Sequence, residues 1–321
     1  MQKTQLTTTQ LGATGLEITR VGFGAWAIGG GGWEFGWGRQ EDDDSIAAIQ
    51  RALEHGVNWI DTAAAYGFGH SEAVVGRALE GLRDDERPYL FTKASLVQGP
   101  GRTVVNNLSR DSILREIDNS LTRLGVDAID LYQIHWPIPD RDVEEGWTTF
   151  AELQEQGLVR HIGVSNFDIE RLRRIQRIAP VETLQPPYSL VSPDVEKELL
   201  PFAERERIGV IVYSPMGSGL LTGAMTRERV KRLPADDWRR RSEQFEEPRL
   251  SRNLALVERL KTIASRLDTT PGAVAVAWTL RNPAVDGAIV GFRRPDQVDQ
   301  IIGGANLELS DEDVAALAGS D

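Results

Sequence analysis

The stretch Val57-Asn58-Trp59-Ile60-Asp61-Thr62-Ala63-Ala64-Ala65-Tyr66 opens with a short apolar run, typical of a buried β-strand, and continues into a loop of small residues. A helical pattern follows at about residues 71–82, and a second strand-like run follows at residues 89–93. A strand, a helix and a second strand in this order indicate two parallel strands joined by a right-handed crossover. This unit decides the predicted fold, because the rest of the chain repeats it.

The same alternation of strand and helix recurs along the whole chain. Strand-like runs are predicted at residues 20–24, 57–62, 89–93, 128–135, 159–165, 183–185, 209–213 and 288–290. Helical patterns are predicted at about residues 42–55, 71–82, 109–124, 143–156, 168–177, 193–206, 251–281 and 295–303. Eight such units predict an α/β protein that closes into a (β/α)8 TIM barrel.

Two segments fall outside the repeat. Residues 7–19 contain a glycine turn and predict an N-terminal β-hairpin that could close one end of the barrel. Residues 309–318 include Ser310 and Asp313 in a pattern like a capping box, and they predict an extra C-terminal helix. Because no linker or low-complexity stretch is visible, residues 1–321 are predicted to form one domain.

Composition narrows the class of protein. The chain has 321 residues, of which 40% are hydrophobic, enough for one large core. Its formal net charge of -12 argues against a nucleic-acid partner or an anionic membrane surface. No apolar run approaches the ~20 residues of a membrane helix, and the first five residues show no apolar signal core, so a cytoplasmic protein is expected. With no cysteine and no ligand spacing among the histidines, no metal site is predicted.

A glycine motif near the N-terminus invites a different interpretation. Residues 22–27, Gly-Phe-Gly-Ala-Trp-Ala, match the G-x-G-x-x-A fingerprint of dinucleotide-binding Rossmann folds. That motif must open a helix, whereas four consecutive glycines follow here at residues 29–32 and cannot propagate one. The segment is predicted instead to be a glycine-rich loop over a barrel mouth.

Four chemically unusual side chains lie at or near strand ends. Asp61 ends the second predicted strand and Tyr66 lies in the loop that follows it, whereas Lys93 and His135 end the third and fourth strands. The C-terminal ends of all barrel strands converge on one face, which is where active sites are built. Each residue alone has an ordinary structural explanation, but their matching positions on neighbouring strands predict one catalytic group.

The four side chains together suit the reduction of a carbonyl group. Tyr66 can donate a proton to the alkoxide that develops as hydride arrives, and the Lys93 ammonium is expected to lower the pKa of this phenol. Asp61 would keep Lys93 charged and oriented, and His135 would align the carbonyl oxygen. The residues predicted to form the substrate pocket are Trp26, Trp33, Tyr66 and Trp136.

The motifs around these residues resemble those of the aldo-keto reductases. They are Asp-Thr-Ala-Ala-Ala-Tyr-Gly at residues 61–67, Lys93, His-Trp-Pro at residues 135–137 and Gly-Val-Ser-Asn-Phe at residues 163–167. The resemblance covers essentially the whole chain. The Gly-His-Ser-Glu segment at residues 69–72 and the glycine-rich loop resemble bacterial members of the general-stress-protein kind.

The resemblance implies a (β/α)8 barrel that reduces aldehydes or ketones reversibly to alcohols by hydride transfer. It implies that NADP(H) is the preferred cofactor, with NAD(H) possible. The catalytic tetrad that it implies consists of Asp61, Tyr66, Lys93 and His135.

The resemblance also implies that loops at the barrel mouth hold the cofactor. The residues expected to contact it are Trp26, Asp61, Ser165, Asn166, Gln185, Tyr213, Ser214, Met216, Gly217, Gly219, Leu220, Gly291, Arg293, Arg294, Gln297 and Gln300. Ser165, Asn166 and Gln185 offer hydroxyl and amide groups suited to the nicotinamide carboxamide. Tyr213 would stack its ring on the nicotinamide, and the glycines that follow would let backbone N–H groups approach the pyrophosphate.

Two arginines indicate how the cofactor could be selected. Arg293 and Arg294 follow the eighth predicted strand and open a helix, and a helix N-terminus with arginines attracts anions. They are predicted to hold the 2′-phosphate of NADP, Arg293 more than Arg294. The chain departs from the family near the adenine, where Gln300 and Ile301 replace the usual Glu and Asn, and the Ile301 side chain cannot form a hydrogen bond.

The longest irregular segment covers about residues 222–248. A loop of that length in a compact domain is usually a lid or a disordered insert. Its run Arg239-Arg240-Arg241 is predicted to be a solvated face. One hypothesis is that residues 236–244 fold over bound NADP.

Two other functions match part of the pattern. A protein of the same fold could hold NADP as a regulator or sensor with slow or no turnover, although the intact tetrad argues against a purely regulatory role. A Schiff-base lyase could use Lys93, but the neighbouring Asp61 would keep that amine protonated and non-nucleophilic. The expected partner is a small carbonyl substrate, and the sequence does not fix the oligomeric state.

Overall fold

A closed barrel of parallel strands dominates the computed structural model, which describes residues 6–318 apart from the side chain of Asp84. In chain order the strands are β1 (Thr8–Gln10), β2 (Glu17–Thr19), β3 (Val21–Gly24), β4 (Trp59–Asp61), β5 (Tyr89–Ala94), β6 (Leu96–Gln98), β7 (Val104–Asn106), β8 (Ile129–Ile134), β9 (Val159–Ser165), β10 (Thr183–Gln185), β11 (Gly209–Tyr213) and β12 (Gly287–Gly291). Within the described residues, β3, β4, β5, β8, β9, β10, β11 and β12 close the barrel in chain order. The predicted (β/α)8 TIM barrel is therefore confirmed.

Helices surround this barrel. They are α1 (Asp42–Glu54), α2 (His70–Ala78), α3 (Arg110–Leu124), α4 (Val143–Glu155), α5 (Ile169–Ile175), α6 (Leu199–Glu206), α7 (Arg227–Lys231), α8 (Arg249–Arg266), α9 (Pro271–Leu280), α10 (Pro295–Ile301) and α11 (Asp311–Ala318). The helix predicted at residues 251–281 is in fact two helices, α8 and α9. The break follows from Pro271, which has no N–H to continue the ladder, and from Thr270, whose Oγ1 accepts a hydrogen bond from Ala273 N at 3.2 Å.

The N-terminal hairpin of β1 and β2 closes the end of the barrel where the strands begin. Leu11, Leu16 and Ile18 pack in one buried cluster with Trp59 and Phe91. Gly12 turns with φ +51° against β11, where a Cβ atom would lie 2.3 Å from the Gly209 nitrogen. The hairpin therefore closes one end of the barrel, as predicted, and leaves the opposite end uncovered by it.

Side chains inside the barrel form an apolar layer below a polar one. Residues two apart on a strand face the same way, and on three neighbouring strands an apolar residue is followed by a polar residue at this spacing. The pairs are Trp59 and Asp61 on β4, Phe91 and Lys93 on β5, and Leu131 and Gln133 on β8. Charged and amide groups are thus buried just beneath the C-terminal face.

A second hairpin, formed by β6 and β7, is absent from the sequence prediction. Each strand has three residues, too few to give a periodic signal. The one indication of a hairpin in the sequence was Gly-Pro-Gly at residues 99–101, which is typical of a turn. The hairpin leaves β5 at Ser95, a buried residue with φ +89°. It extends the wall of the barrel mouth on the side of Lys93.

The segment at residues 222–248 follows a defined path across the C-terminal face. The Trp238 ring stacks on Trp26 of the glycine-rich loop with centroids 4.9 Å apart. Arg239 is buried, pairs with Asp237 at 2.6 Å and lies 4.5 Å from the Trp37 ring. The prediction of a solvated arginine run is thus wrong for Arg239, because its carboxylate partner and an aromatic face replace water.

The C-terminal helix is confirmed as α11. Ser310 Oγ accepts a hydrogen bond from Asp313 N at 3.2 Å, and Ser310 N donates to the Asp313 carboxylate at 3.1 Å, which is the reciprocal pattern of a capping box. No helix in residues 6–318 combines the length and the apolar character needed to cross a membrane. Residues 1–5, in which no signal core is predicted, lie outside the described part of the chain.

Candidate active site

A cavity of about 880 Å³ opens at the C-terminal face of the barrel. The glycine-rich loop, the second hairpin and the segment at residues 222–248 contribute to its walls. Predicted site residues that line it are Trp26, Trp33, Asp61, Tyr66, His135, Trp136, Ser165, Asn166, Gln185, Tyr213, Ser214, Met216, Gly219, Gly291, Arg293, Gln297 and Gln300. Its size is that of a typical small-molecule site.

Lys93 is buried beneath the cavity and forms an ion pair with Asp61. Its Nζ donates to Asp61 Oδ1 at 2.5 Å and to the Thr62 carbonyl at 2.9 Å. The same Nζ lies 5.4 Å from the centroid of the Tyr66 ring. Burial lowers the pKa of Lys93, and the Asp61 carboxylate opposes this shift. The pair places opposite charges, which largely compensate each other, directly below Tyr66.

Two glutamines hold the other oxygen of the Asp61 carboxylate. Gln185 Nε2 donates to Asp61 Oδ2 at 2.9 Å, and Gln133 Nε2 lies 3.4 Å from the same oxygen. Gln185 also donates to Gln133 Oε1 at 3.2 Å, so the network is connected. Gln133 was missed in the sequence, although it precedes His135 by two residues and must therefore face the same way.

Tyr66 stands between aromatic neighbours at the cavity wall. Its ring centroid lies 6.2 Å from Trp26 and 5.7 Å from His135. Burial, followed by the negative charge of Asp61, raises the pKa of Tyr66 well above its ordinary value. The expected lowering by Lys93 is wrong for this arrangement, because the ammonium donates to Asp61 and its charge is compensated. Tyr66 is consequently a protonated phenol at neutral pH.

His135 contributes a neutral imidazole. Burial, followed by the positive charge of Lys93, lowers the pKa of His135 well below its usual range. Its Nδ1 is buried and has no hydrogen-bond partner among the described residues, while its backbone carbonyl accepts from Asn166 Nδ2 at 2.9 Å. A neutral imidazole keeps one N–H, so His135 can donate one hydrogen bond to an oxygen in the cavity.

A strip of amide and hydroxyl groups lines the cavity beyond His135. Tyr213 Oη donates to Asn166 Oδ1 at 2.8 Å, Asn166 Nδ2 donates to Ser165 Oγ at 3.0 Å, and Ser165 Oγ donates to the Gln185 carbonyl at 2.8 Å. A Cβ atom at Gly291 would meet nothing nearer than the Gly24 oxygen at 3.8 Å, so this wall is open backbone. Together with Arg293, this donor set is chemically suited to a nicotinamide dinucleotide.

Comparison with known proteins gives the family. The model of the aldo/keto reductase family matches residues 20–321. The chain belongs to this family. As a member, the reductase is an NAD(P)H-dependent oxidoreductase.

Relatives of the reductase share most of its length. The aldo-keto reductase YhdN of Bacillus subtilis is 38% identical over 306 residues, which cover 95% of this chain and 90% of that protein. The NADH-specific methylglyoxal reductase of Escherichia coli is 33% identical over 320 residues, covering 96% of each chain. The solved glycerol dehydrogenase AKR11B4 from Gluconobacter oxydans superposes with a TM-score of 0.86 at 35% identity, covering 97% of this chain and 93% of that one.

Three residues of the reductase that were predicted to contact a cofactor do not line the cavity. Leu220 is fully buried in an apolar cluster below the loop. Gly217 turns the loop with φ +55° and faces Val191 instead. Arg294 is exposed and pairs with Asp296 at 3.0 Å. Their neighbours Met216, Gly219 and Arg293 do line the cavity, so adjacent residues of these loops face different surroundings.

Arg293 is held against residues 37–40, which follow the glycine-rich loop. Its Nε donates to Gln40 Oε1 at 2.6 Å and its Nη1 to the Trp37 carbonyl at 3.3 Å. Burial lowers the pKa of Arg293. Gln297 Oε1 accepts from the Arg293 backbone N–H at 2.7 Å, which links the chain just before α10 to the first turn of that helix.

A buried carboxylate supports the strand end beside the site. Glu116 of α3 accepts hydrogen bonds from the Ser95 N–H at 3.2 Å and from Ser112 Oγ at 3.1 Å. Ser95 Oγ in turn lies 3.3 Å from both the nitrogen and the oxygen of the Trp136 backbone. Glu116 thus holds Ser95, which follows the strand that carries Lys93 and contacts the Trp136 backbone at the cavity wall. Burial is the main cause that raises the pKa of Glu116 from 4.5 to about 7.

We expect the free energy of unfolding to fall as the pH rises through 7, with part of that fall due to Glu116. Since its folded-state pKa is raised, its contribution is fully present below pH about 4.5 and is lost as the pH rises through about 7. The loss is at most ~3 kcal/mol. Urea unfolding of wild type and Glu116→Gln at pH 5 and pH 8 measures it, and the variant should show the smaller difference. Asp118→Asn, on the exposed side of α3, is the control, and equal differences in all three proteins would contradict the assignment.

Proposed function

We propose that the reductase transfers hydride from NADPH to aldehydes or ketones, reversibly, and that Tyr66 supplies the proton to the carbonyl oxygen. The observation that carries this proposal is the position of the Tyr66 phenol at the cavity wall, with its ring 5.7 Å from the His135 ring and 5.4 Å from the Lys93 Nζ that pairs with Asp61. In this arrangement two uncharged donors face the same space, which is what a developing alkoxide requires.

Each side chain has one task in the proposed reaction. A bound nicotinamide supplies the hydride to the carbonyl carbon. His135 donates a hydrogen bond to the carbonyl oxygen and orients it, and Tyr66 gives its phenolic proton to the same oxygen as negative charge develops there. An alkoxide is a much stronger base than a phenolate, so it takes this proton even from a phenol whose pKa is raised. The resulting phenolate lies near the Asp61–Lys93 pair, where the Lys93 ammonium offsets the repulsion from the Asp61 carboxylate until water returns the proton.

The preference for NADPH is part of the proposal, and Arg293 supports it. This guanidinium is half-buried at the cavity wall, and it donates to Gln40 Oε1 and to the backbone carbonyls of Trp37 and Arg39, none of which neutralises its charge. A 2′-phosphate would provide that missing negative charge. The Escherichia coli relative is named as NADH-specific, so the choice of cofactor varies within the family.

Arg293→Ala should weaken the binding of NADPH about 10- to 100-fold and the binding of NADH much less, because a hydrogen bond to a charged group contributes ~1.5–3 kcal/mol. Dissociation constants of both cofactors, measured by calorimetry, test this. Arg294→Ala is the matched control, since Arg294 pairs with Asp296 outside the cavity. Equal losses of affinity for the two cofactors would show that Arg293 does not bind the 2′-phosphate.

The test of the whole proposal is the loss of 340 nm absorbance when purified protein meets NADPH or NADH and a panel of aldehydes, ketones and sugars. Turnover with carbonyls, faster with NADPH, is the expected result. Tight binding of NADPH without turnover on any carbonyl would instead favour a regulatory protein of the same fold.

A further inference from the structure

A fully buried carboxylate lies outside the cavity, behind the wall of the barrel. Glu72 belongs to the first turn of α2, six residues after Tyr66, and its side chain is 0% exposed. It does not line the cavity. A carboxylate is almost never fully buried unless it is paired and hydrogen-bonded, so the partners of Glu72 indicate what it does.

One oxygen of this carboxylate reaches the strand that carries Lys93. Thr92 Oγ1 donates to Glu72 Oε1 at 2.7 Å. Thr92 precedes Lys93 on β5, and successive side chains of a strand point to opposite faces. Because Lys93 points into the barrel, Thr92 points outward, towards the helices. Glu72 thus holds the outer side of β5 at the position next to Lys93.

The other oxygen is paired with Arg123 of α3. Arg123 Nε donates to Glu72 Oε2 at 2.7 Å, and its Nη2 lies 2.6 Å from the same oxygen. The guanidinium also covers Gly69, which has φ +94° and where a Cβ atom would lie 2.8 Å from Arg123 Cδ and Nε. Arg123 therefore compensates the buried charge and packs on the turn that leads into α2.

The loop of residues 62–69, which joins β4 to α2 and carries Tyr66, is fixed at both ends. The Ser71 N–H donates to the Tyr66 carbonyl at 3.1 Å, and Ser71 Oγ lies 2.9 Å from Thr62 Oγ1. The Thr62 carbonyl accepts from Lys93 Nζ at 2.9 Å. The loop therefore lies between the helix that carries Glu72 and the strand that carries Lys93, and the spacing of these two elements sets where Tyr66 stands.

We propose that Glu72 is a positioning residue, which holds the Tyr66 hydroxyl at its working distance from the carbonyl oxygen by joining the first turn of α2 to Thr92. This inference rests on the proposed function and adds a residue that touches neither substrate nor cofactor. Without the hydrogen bond to Thr92, α2 and the loop of residues 62–69 can shift relative to β5. A misplacement of ~1 Å can cost about 100-fold in rate, whereas binding is shared among many other side chains.

The first test is Thr92→Val, which removes the hydroxyl with little change of shape and leaves the Glu72–Arg123 pair in place. We expect kcat with saturating NADPH and benzaldehyde to fall about tenfold, while the KM of the aldehyde and the dissociation constant of NADPH change less than about twofold. Thr92→Ser keeps the hydroxyl and should recover most of the lost kcat. An unchanged kcat in Thr92→Val, or a loss confined to KM, would overturn the positioning role.

Thr279→Val is the matched control. Thr279 is as fully buried as Thr92, its Oγ1 donates to the Ala275 carbonyl at 3.0 Å within α9, and it does not line the cavity. This variant loses one buried hydrogen bond elsewhere and should keep the wild-type kcat. Urea unfolding of each variant shows that the compared proteins are folded under the assay conditions. An equal fall of kcat in Thr279→Val would mean that Thr92 acts only through stability.

The second test combines Thr92→Val with Tyr66→Phe and measures single-turnover rates with bound NADPH. If Glu72 and Thr92 act by placing the Tyr66 hydroxyl, Thr92→Val should cost less than about twofold once that hydroxyl is gone, because residues that act as a unit are not additive. A further loss of about tenfold would overturn the positioning role and leave Tyr66 as the acid. A wild-type rate for Tyr66→Phe alone would instead overturn the proposed function.

Discussion

Tyr66→Phe should lower kcat for carbonyl reduction about 10²- to 10⁴-fold, the range by which proton transfer from a positioned acid accelerates a reaction. The variant keeps the ring that packs between Trp26 and His135, and it loses only the hydroxyl. The binding of NADPH, measured by calorimetry, should therefore be nearly unchanged. Single-turnover rates with saturating NADPH and benzaldehyde separate the loss of chemistry from any change in binding.

The matched control is Tyr89→Phe, which removes the same hydroxyl from the opposite end of the barrel. Tyr89 begins β5, whose C-terminal half carries Lys93, and packs against the cluster that the N-terminal hairpin closes. This variant should turn over at nearly the wild-type rate. If Tyr66→Phe did so as well, Tyr66 would not be the acid, and if it lost the binding of NADPH, its role would be in cofactor binding instead.

Lys93→Met should abolish most turnover and also destabilise the protein by about 3–5 kcal/mol, because it leaves the Asp61 carboxylate buried without its counter-charge. The two side chains are 0% and 3% exposed, so water cannot replace the lost partner. Urea unfolding monitored by circular dichroism measures the stability, and NADPH oxidation measures the turnover.

A second variant separates the two effects of Lys93. Lys93→Met combined with Asp61→Asn removes both charges and should recover much of the lost stability, while turnover stays low. Gln185 and Gln133 can still hydrogen-bond to the remaining amide. If the double variant were no more stable than Lys93→Met alone, the Asp61–Lys93 pair would not be the reason for the destabilisation.

The barrel and the gathering of the four predicted catalytic residues followed from the sequence for one physical reason. Parallel strands joined by helices must bring their C-terminal ends to one face, so residues such as Asp61 and Lys93 approach each other however far apart they lie in the chain. Short apolar strands separated by long amphipathic helices are also easy to recognise. The three-residue strands of the second hairpin have no such periodic signal and were missed.

The remaining errors concern burial, which local sequence does not fix. Arg239 stands in a run of three arginines that looks solvated, yet it is covered by Trp37 from a loop about two hundred positions away. The pKa of Tyr66 was given the wrong direction because the sequence does not show how deeply the phenol is buried, nor that the Asp61 carboxylate expected to pair with Lys93 also opposes ionisation of the phenol. Such contacts form only when distant loops meet.

The tryptophans offer an optical readout of both binding and unfolding. Five of the eight in the chain line the cavity, namely Trp26, Trp33, Trp37, Trp136 and Trp238. The other three, Trp59, Trp147 and Trp278, are buried in the core. A ligand that enters the cavity changes the surroundings of the first group alone, so quenching of intrinsic fluorescence reports occupancy. The emission of the second group shifts to longer wavelengths only when the barrel unfolds and exposes these side chains to water.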